Sequence, residues 1–287
     1  MRGEVIPLRP LTLAEILDAA VELLRRNAFG LLTVSAVLAV LEQAVLYPLR
    51  LSAGVVPPWY FPQLAWLGQY WVLLAVGFGT EAGIIGLLGG LAARAAIPAL
   101  VDGAGLPGTR PVPPAPRWLA GRGARLTALT ALGLLLFLGA TLTAAAGLLP
   151  WIAWYLFTGL AAPALVIDRR GPLSALGRSF ALVGRAGLRP GFIRLLGYFA
   201  WWLIRLALAA GGLAALQLSG HLSSGYLLRL AGVLAWILVN TVAYAVLGCL
   251  DTVLHLENRM RVEGLDLALS RALRRGIPAE QIVVTKP

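Results

Sequence analysis

The sequence predicts an all-α integral membrane protein with six transmembrane helices. Three observations carry this prediction: the composition, six long apolar segments and the distribution of arginine. Of the 287 residues, 59% are hydrophobic and only 13% are charged, whereas soluble domains carry about 45–50% apolar and about 25% charged residues. The composition therefore excludes an ordinary water-soluble enzyme and an intrinsically disordered chain.

A transmembrane helix needs about 20 mostly apolar residues, and six segments meet that requirement. They are Ala28–Leu46, Tyr70–Ala92, Leu126–Leu149, Trp151–Ile167, Phe192–Leu216 and Tyr226–Leu250. A tight turn is predicted at Leu149-Pro150-Trp151, and Pro98 is expected to end the second span. Aromatic residues near the span ends favour interfacial anchoring, although some could equally be internal. These are Tyr47, Trp71, Trp151, Tyr198, Trp201 and Tyr226.

Arginine alternates between rich and nearly empty segments along the chain. It is frequent before the first span, between spans two and three, between spans four and five, and after span six, but the first intervening loop holds only Arg50. The positive-inside rule produces this pattern. We therefore expect both termini to be cytoplasmic. Topology then explains the net charge of +11 better than nucleic-acid binding does.

Amphipathic helices are expected on the cytoplasmic face. Thr12-Leu13-Ala14-Glu15 forms a capping box, and the apolar stripe that follows has helical spacing: Leu13, Ile16, Leu17, Ala20 and Leu24. Acidic residues interrupt this segment, which argues against a signal peptide. A second stripe consists of Leu173, Leu176, Phe180 and Val183, and a third of Leu265, Leu269, Ala272 and Leu273.

The first two amphipathic segments each precede a pair of spans. Pro111–Arg125 is the candidate for a third, degenerate copy of this segment. A unit of one surface helix and one transmembrane hairpin, used three times, is one interpretation. Independent amphipathic elbows are the other. The chain divides into an N-terminal amphipathic helix (1–27), a six-span membrane domain (28–250) and a C-terminal helix with its tail (251–287).

Polar residues inside the spans form the candidate intramembrane site: Glu42, Glu81, Arg205 and Asn240. Each charge at the bilayer centre costs about 2.5–3.5 kcal/mol on insertion scales, so a partner or an aqueous cavity is expected. Glu42 and Arg205 lie at similar depth, about 21 and 20 Å from the cytoplasmic ends of their spans at ~1.5 Å per residue. We therefore predict a Glu42–Arg205 ion pair, with Glu81 as the competing partner. The site is either a structural ion pair or part of a transport pathway.

No catalytic, cofactor-binding or metal-binding residues are predicted. Cys249 is the single cysteine, and His221 and His255 are the two histidines, with no metal-ligand spacing between them. Nucleotide-binding, hydrolase and zinc-protease motifs do not occur. The glycines of Gly79–Gly90 favour close helix packing over ligand binding.

Three stretches resemble a bacterial family: residues 7–20 (PLRPLTLAEILDAA), residues 163–179 (PALVI followed by GPLSALGRS) and residues 257–267 (ENRMRVEGLDL). The chain resembles the polytopic proteins known as the glycerophosphoryl diester phosphodiesterase membrane domain. The resemblance implies a membrane fold and association with phospholipid. It does not imply catalysis, because the soluble barrel of that name needs a pair of histidines and metal-binding carboxylates that this chain does not supply.

The expected function is therefore a non-catalytic, lipid-associated scaffold or assembly factor. Expected partners are anionic lipid headgroups and either another membrane protein or a second copy of the chain, but not nucleic acid. The candidate headgroup contacts are Arg25, Arg26, Arg169, Arg170 and Arg178, although such arginines also act simply as topology determinants. The alternative is a small secondary transporter that uses Glu81 and Arg205. A membrane-embedded hydrolase is a third candidate, but the sequence contains no hydrolase motif that supports it.

Overall fold

The computed structural model describes residues 9–55, 64–103, 123–220 and 225–275, together with Ile282, and these residues contain helices and no strand. The long helices are α2 (Ala28–Ser52), α3 (Leu67–Gly103), α4 (Gly123–Ala146), α8 (Arg189–Leu206) and α10 (Gly225–Glu263). The shorter helices are α1 (Leu13–Arg26), α5 (Leu148–Thr158), α6 (Ala161–Ile167), α7 (Pro172–Arg185), α9 (Gly212–Leu218) and α11 (Leu265–Arg274). A short 3₁₀ turn, Leu64–Trp66, precedes α3.

Six helical stretches of the described chain are long and apolar enough to cross a membrane, which confirms the predicted number of spans. They are Ala28–Ser52, Leu64–Ala96, Arg125–Ala146, Leu148–Ile167, Arg189–Leu218 and Gly225–Glu263. The protein is thus an all-helical bundle suited to a multi-pass membrane protein. Most observed stretches are longer than predicted because the helices continue past the apolar residues that define the spans in sequence.

α10 is the central helix of the bundle. It packs against α1, α2, α3 and α8, and every residue from Ala243 to Met260 is buried. Its 39 residues extend over about 58 Å at ~1.5 Å per residue, nearly twice the ~30 Å hydrocarbon thickness. The boundary predicted after Leu250 is therefore not a break in the structure, because α10 continues without interruption to Glu263.

Glycine brings the helices into close contact. An added Cβ on Gly248 would lie 2.8 Å from the backbone nitrogen of Gly89, and one on Gly83 would lie 3.1 Å from the carbonyl oxygen of Gly133. The Thr252 hydroxyl also donates to the Gly89 carbonyl over 3.0 Å. The predicted packing role of the α3 glycines is confirmed.

α1 begins at the predicted capping box, in which Thr12 and Glu15 bond reciprocally. The hydrogen bond from Arg9, assisted by Thr12, lowers the pKa of Glu15 to about 2. The predicted stripe is divided between two faces, because Ile16, Ala20 and Leu24 are buried against the bundle while other apolar residues point outward. Those outward residues are Leu13, Leu17 and Val21, which are 39%, 39% and 45% exposed.

α7 shows a similar rotation. Its buried residues are Ala175, Ser179, Leu182 and Val183, whereas Leu173 is 73% and Phe180 is 40% exposed. The predicted stripe on this helix is therefore wrong at Leu173 and Phe180, whereas Val183 is buried and Leu176 packs partly buried against the core. Ala175 and Ser179 on the inner face are small, which lets α7 lie close to α5 and α6.

Two of the spans are interrupted. The fourth consists of α5 and α6 and breaks at Gly159 and Leu160, where the Ser179 hydroxyl donates to the Phe157 carbonyl and accepts from the Leu160 amide. The fifth contains a π-helical turn, Ala207–Gly211, between α8 and α9. In the fourth span, the Ser179 side chain thus replaces hydrogen bonds that the interrupted helix backbone does not make.

Two predicted turns differ from the structure. The chain reverses at Gly147, whose φ of 142° favours glycine, while Pro150 lies inside the first turn of α5, where a missing N–H is harmless. α3 continues past Pro98 to Gly103. In α11 the predicted residues Leu265, Leu269 and Ala272 are buried. The segment proposed as a third repeat copy, Pro111–Arg125, lies almost entirely outside the described residues.

Candidate intramembrane polar site

Arg205 and Glu81 form an ion pair inside the bundle. The Arg205 guanidinium, 1% exposed, donates to Glu81 Oε1 over 2.6 Å and to Oε2 over 3.4 Å. The hydroxyl of Tyr198 donates to the same carboxylate. Because an unpaired charge in the hydrocarbon is expensive, this pairing stabilises the contact between α3 and α8.

Glu42 lies beside this pair, but its hydrogen-bond partners are all neutral groups. Its carboxyl group, 3% exposed, contacts Asn240 Nδ2 at 2.9 Å, the Tyr244 hydroxyl at 2.8 and 2.9 Å, and the Thr80 hydroxyl at 3.1 Å. The predicted Glu42–Arg205 ion pair is therefore wrong. The two residues match in depth, but α2 packs on α3 and α10, and the Asn240 and Tyr244 side chains of α10 stand between them.

Asn240 joins the two halves of the cluster. Its side-chain oxygen lies 3.5 Å from Arg205 Nη1 while its amide nitrogen donates to Glu42. The structure thus brings all four predicted residues together. Three further members were not predicted from the sequence: Thr80, Tyr244, and Tyr198, which was placed among the interfacial anchors. The sequence does not distinguish a tyrosine that anchors a span at the membrane interface from one that is buried in the bundle.

Two clefts reach the cluster from different sides. A cavity of about 320 Å³ between α3, α5 and α8 has mostly aromatic walls, and Tyr198 lies on its lining. A second cavity of about 290 Å³ opens between α2, α3 and α4 and includes Glu42 and Thr80. Apart from Thr130, its remaining lining consists of glycine and apolar residues, such as Leu41 and Leu134, each 57% exposed on the outside of the bundle.

A second buried ion pair joins α8 to α10. Arg194 Nε donates to Asp251 Oδ1 over 2.7 Å, and the guanidinium also donates to the Tyr155 carbonyl and covers the Tyr155 ring at 3.6 Å. The absence of a side chain at Gly159 makes room for it, because a Cβ there would lie 2.3 Å from Arg194. Asp251 had been assigned to the C-terminal segment outside the spans, and Arg194 lies at the beginning of the predicted fifth span.

Asp168 forms the centre of a third polar group, at the end of the bundle that carries α1, α7 and α11. Its carboxylate, 2% exposed, lies 2.9 Å from Arg178 Nε, 3.0 Å from Arg259 Nη1 and 3.4 Å from His255 Nε2. Burial alone would raise the pKa of Asp168, but these basic neighbours hold it well below its usual value. Arg178 also pairs with Glu263 at 2.5 Å.

Glu257 ties the N-terminal segment to the same end. It pairs with Arg189 at 2.9 Å and with Arg261. Both arginines also donate to the Leu11 carbonyl, at 3.2 and 2.9 Å. The backbone that enters α1 is therefore fixed to α8 and α10 by charge-assisted hydrogen bonds.

The predicted lipid-contact arginines have different surroundings. Arg169 and Arg170 are exposed, and the exposed Arg25 and Arg26 both pair with Glu22 on the surface, at 3.4 and 3.0 Å. Arg178 has a side chain only 17% exposed between two carboxylates. This pairing argues against a headgroup contact at Arg178.

Among the described residues, no group of three or more His, Cys, Asp or Glu side chains could hold a metal ion. What the intramembrane site can do chemically is bind and hold protons or a polar solute, because it combines two carboxyl groups, one guanidinium and two phenols. The absence of catalytic and cofactor-binding residues stays a prediction.

Comparison with known proteins gives no family model, no curated protein and no solved structure that matches the chain. The resemblance to the glycerophosphoryl diester phosphodiesterase membrane domain therefore stays a prediction. The three stretches that carry it do meet in space. Leu11 bonds to Arg261, which joins the first stretch to the third, and Arg178 pairs with Glu263, which joins the second to the third.

Proposed function

We propose that this protein is a non-catalytic, lipid-associated scaffold of the bacterial inner membrane, with both termini and the helices α1, α7 and α11 on the cytoplasmic side. The alternation of arginine along the chain supports this orientation. The proposal includes the repeated unit of one surface helix and one transmembrane hairpin, for which α1 before α2 and α3, and α7 before α8 and α10, are two examples.

One observation carries the proposal: α1 and α7 present apolar residues outward although buried ion pairs fix the same end of the bundle. Leu13, Leu17 and Val21 are at least 39% exposed on α1, as are Leu173 and Phe180 on α7. A helix with one face on protein and an apolar face outside is suited to lie in the membrane interface. Arg25, Arg169 and Arg170 at the ends of these elements are available to anionic headgroups.

Native mass spectrometry from nanodiscs tests this function. We expect the protein to retain phosphatidylglycerol in preference to phosphatidylcholine, and a triple Arg25→Gln, Arg169→Gln, Arg170→Gln variant to lose most of that preference, since each arginine near an anionic surface contributes about 1 kcal/mol. The matched control changes Arg185, Arg271 and Arg275, which are exposed as well, to glutamine. Equal losses in both variants would contradict the assigned contacts. The same spectra report a partner chain or a second copy.

A small secondary transporter is the second candidate, favoured by the surroundings of Glu81 and Arg205. Interrupted helices accompany substrate sites in many transporters, and here the π-helical turn begins two residues after Arg205. Polar members of the cluster line two separate clefts. Solute or proton flux in proteoliposomes that is lost in Glu81→Gln, but kept in Glu22→Gln, would favour transport. Absence of flux for every solute class tested would favour the scaffold.

A further inference from the structure

Glu42 is the carboxyl group of the intramembrane cluster whose hydrogen-bond partners are neutral. We propose that Glu42 is a proton-binding residue that holds one proton at neutral pH, beside the ion pair of Glu81 with Arg205. A protonated Glu42 is compatible with either candidate function.

The charges of the cluster give the first argument. Among the described residues, Arg205 is the cation that pairs with Glu81. The groups that hydrogen-bond to Glu42 are neutral, namely Thr80 from α3 and Asn240 and Tyr244 from α10, and the charged group that acts on Glu42 from α3 is the Glu81 carboxylate. Two ionised carboxylates would leave one net negative charge in a buried cluster. A buried charge without a counterion is neutralised instead by a proton.

The hydroxyl hydrogens give a second, independent argument. Thr80 Oγ1 lies 2.9 Å from the Gly77 carbonyl and 3.1 Å from Glu42 Oε1, but it has one hydrogen to donate. A carbonyl can only accept, so keeping both bonds requires Thr80 to donate to Gly77 and to accept from Glu42. Glu42 can donate only when it carries a proton.

Tyr244 leads to the same result. Its single hydrogen serves Glu42, at 2.8 Å, and Glu81, at 3.3 Å. Together, Thr80 and Tyr244 bring two hydrogens to four contacts between groups. Thr80 contacts Gly77 and Glu42, and Tyr244 contacts Glu81 and the Glu42 carboxyl group, whose two oxygens lie at 2.8 and 2.9 Å. A proton on Glu42 supplies a third hydrogen and leaves only the longest of the four contacts without one.

The donor set favours a proton over a metal cation. Arg205 can only donate, so its contact with Asn240 orients the amide oxygen toward the guanidinium and the NH₂ group toward Glu42. An amide NH₂ has no lone pair suited to binding a hard cation. The Glu42 carboxyl thus faces a hydrogen-bond donor where a cation site would place an oxygen.

Infrared spectroscopy of the protein in lipid bilayers at pH 7 tests the proposal. The spectrum of the wild type minus that of Glu42→Gln should contain the C=O stretch of a protonated carboxylic acid. The matched control, Glu22→Gln at an exposed position, should remove carboxylate bands only. Carboxylate bands without an acid band in the Glu42 difference spectrum would overturn the proposal.

A second measurement uses the unaltered protein. Dicyclohexylcarbodiimide is apolar and reacts with protonated carboxyl groups, and Glu42 lies on a cleft lined by apolar residues. Peptide mass spectrometry should locate the adduct on Glu42, with a yield that falls as the pH is raised. Labelling of Glu81 in preference to Glu42 would contradict the assignment of the proton.

Discussion

Arg194 and Asp251 form an ion pair of 2.7 Å in which the side chains are only 4% and 3% exposed. The pair joins α8 to α10, and the same guanidinium reaches the carbonyl of Tyr155 in the interrupted fourth span. Three spans therefore depend on one arginine. Because both charges are desolvated, the loss of either partner leaves the other without compensation.

Breaking this pair should destabilise the bundle. We expect Asp251→Asn or Arg194→Met to lower the free energy of unfolding by about 3–5 kcal/mol, and a double replacement by apolar residues to recover most of the loss. Denaturant unfolding in micelles measures both. Glu22→Gln, which removes an exposed partner of Arg26, should change the free energy by less than about 1 kcal/mol. Additive effects in the double variant would argue against the coupling.

Gly248→Ala should force α10 away from α3. The new Cβ would lie 2.8 and 2.9 Å from backbone atoms of Gly89 and Leu88, which cannot yield as a flexible side chain could. Overpacking of this kind costs about 1–3 kcal/mol, detectable as a lower melting temperature. Gly177→Ala in α7 is the control, since nothing lies within 4 Å of a Cβ there; it should be neutral or raise stability by up to about 1 kcal/mol. Equal effects of the two substitutions would count against the close approach.

Acid should weaken the end of the bundle around Asp168. The folded pKa of this carboxyl lies below its ordinary value of 3.8, so its contribution is present above pH 3.8 and decreases as the pH falls further toward the folded pKa. Thermal unfolding between about pH 5 and about pH 2 should therefore show a melting temperature that falls in the wild type once the pH is below 3.8. Asp168→Asn should melt lower at pH 7 and respond less to acid. An unchanged acid response in Asp168→Asn would assign the effect to other carboxylates.

Gln43→Met should stabilise the protein. Gln43 is 3% exposed on α2, and neither its amide nitrogen nor its oxygen has a hydrogen-bond partner among the described residues. An unsatisfied buried polar group costs about 1–3 kcal/mol, which an apolar side chain of similar volume removes. Asn240→Leu is the contrasting variant, because Asn240 bonds to Glu42, and it should lower the melting temperature. A lower melting temperature for Gln43→Met would indicate a polar partner for this amide.

Reporter fusions should establish the orientation. Because arginine is concentrated in alternate loops, fusions at Ser52 and Gly220 should report the outside of the membrane and a fusion at the C-terminus the inside. Activity measurements with a paired periplasmic and cytoplasmic reporter check each position. A periplasmic signal at the C-terminus would contradict the proposed topology.

The spans could be predicted from sequence because apolar length alone defines them. Glu42, Glu81, Arg205 and Asn240 could be singled out because polar residues are conspicuous in apolar segments. Spacing along a helix gives depth but not the direction in which a side chain points relative to other helices. For that reason the partner of Arg205 was predicted as Glu42 instead of Glu81.

The ion pairs around Asp168, Asp251 and Glu257 could not be predicted. They lie in segments rich in charge, where the sequence pattern indicates contact with water. Their burial depends on α1, α6, α7 and α11 surrounding the second half of α10, which is a tertiary arrangement. The faces of α1 and α7 were misassigned for a related reason, since each helix has apolar residues on both its inner and its outer side.

The uninterrupted α10 has a mechanical consequence. Asn240 and Tyr244 hold it at the intramembrane cluster, Asp251 in the middle, and His255, Glu257 and Arg259 at the far end. Rotation of α10 about its own axis, or translation along that axis, would break all of these hydrogen bonds and ion pairs at once. Any opening of the bundle is therefore expected to leave α10 in place, and α2 and α8 can move away from it only if their own bonds to it, through Glu42 and Arg194, break.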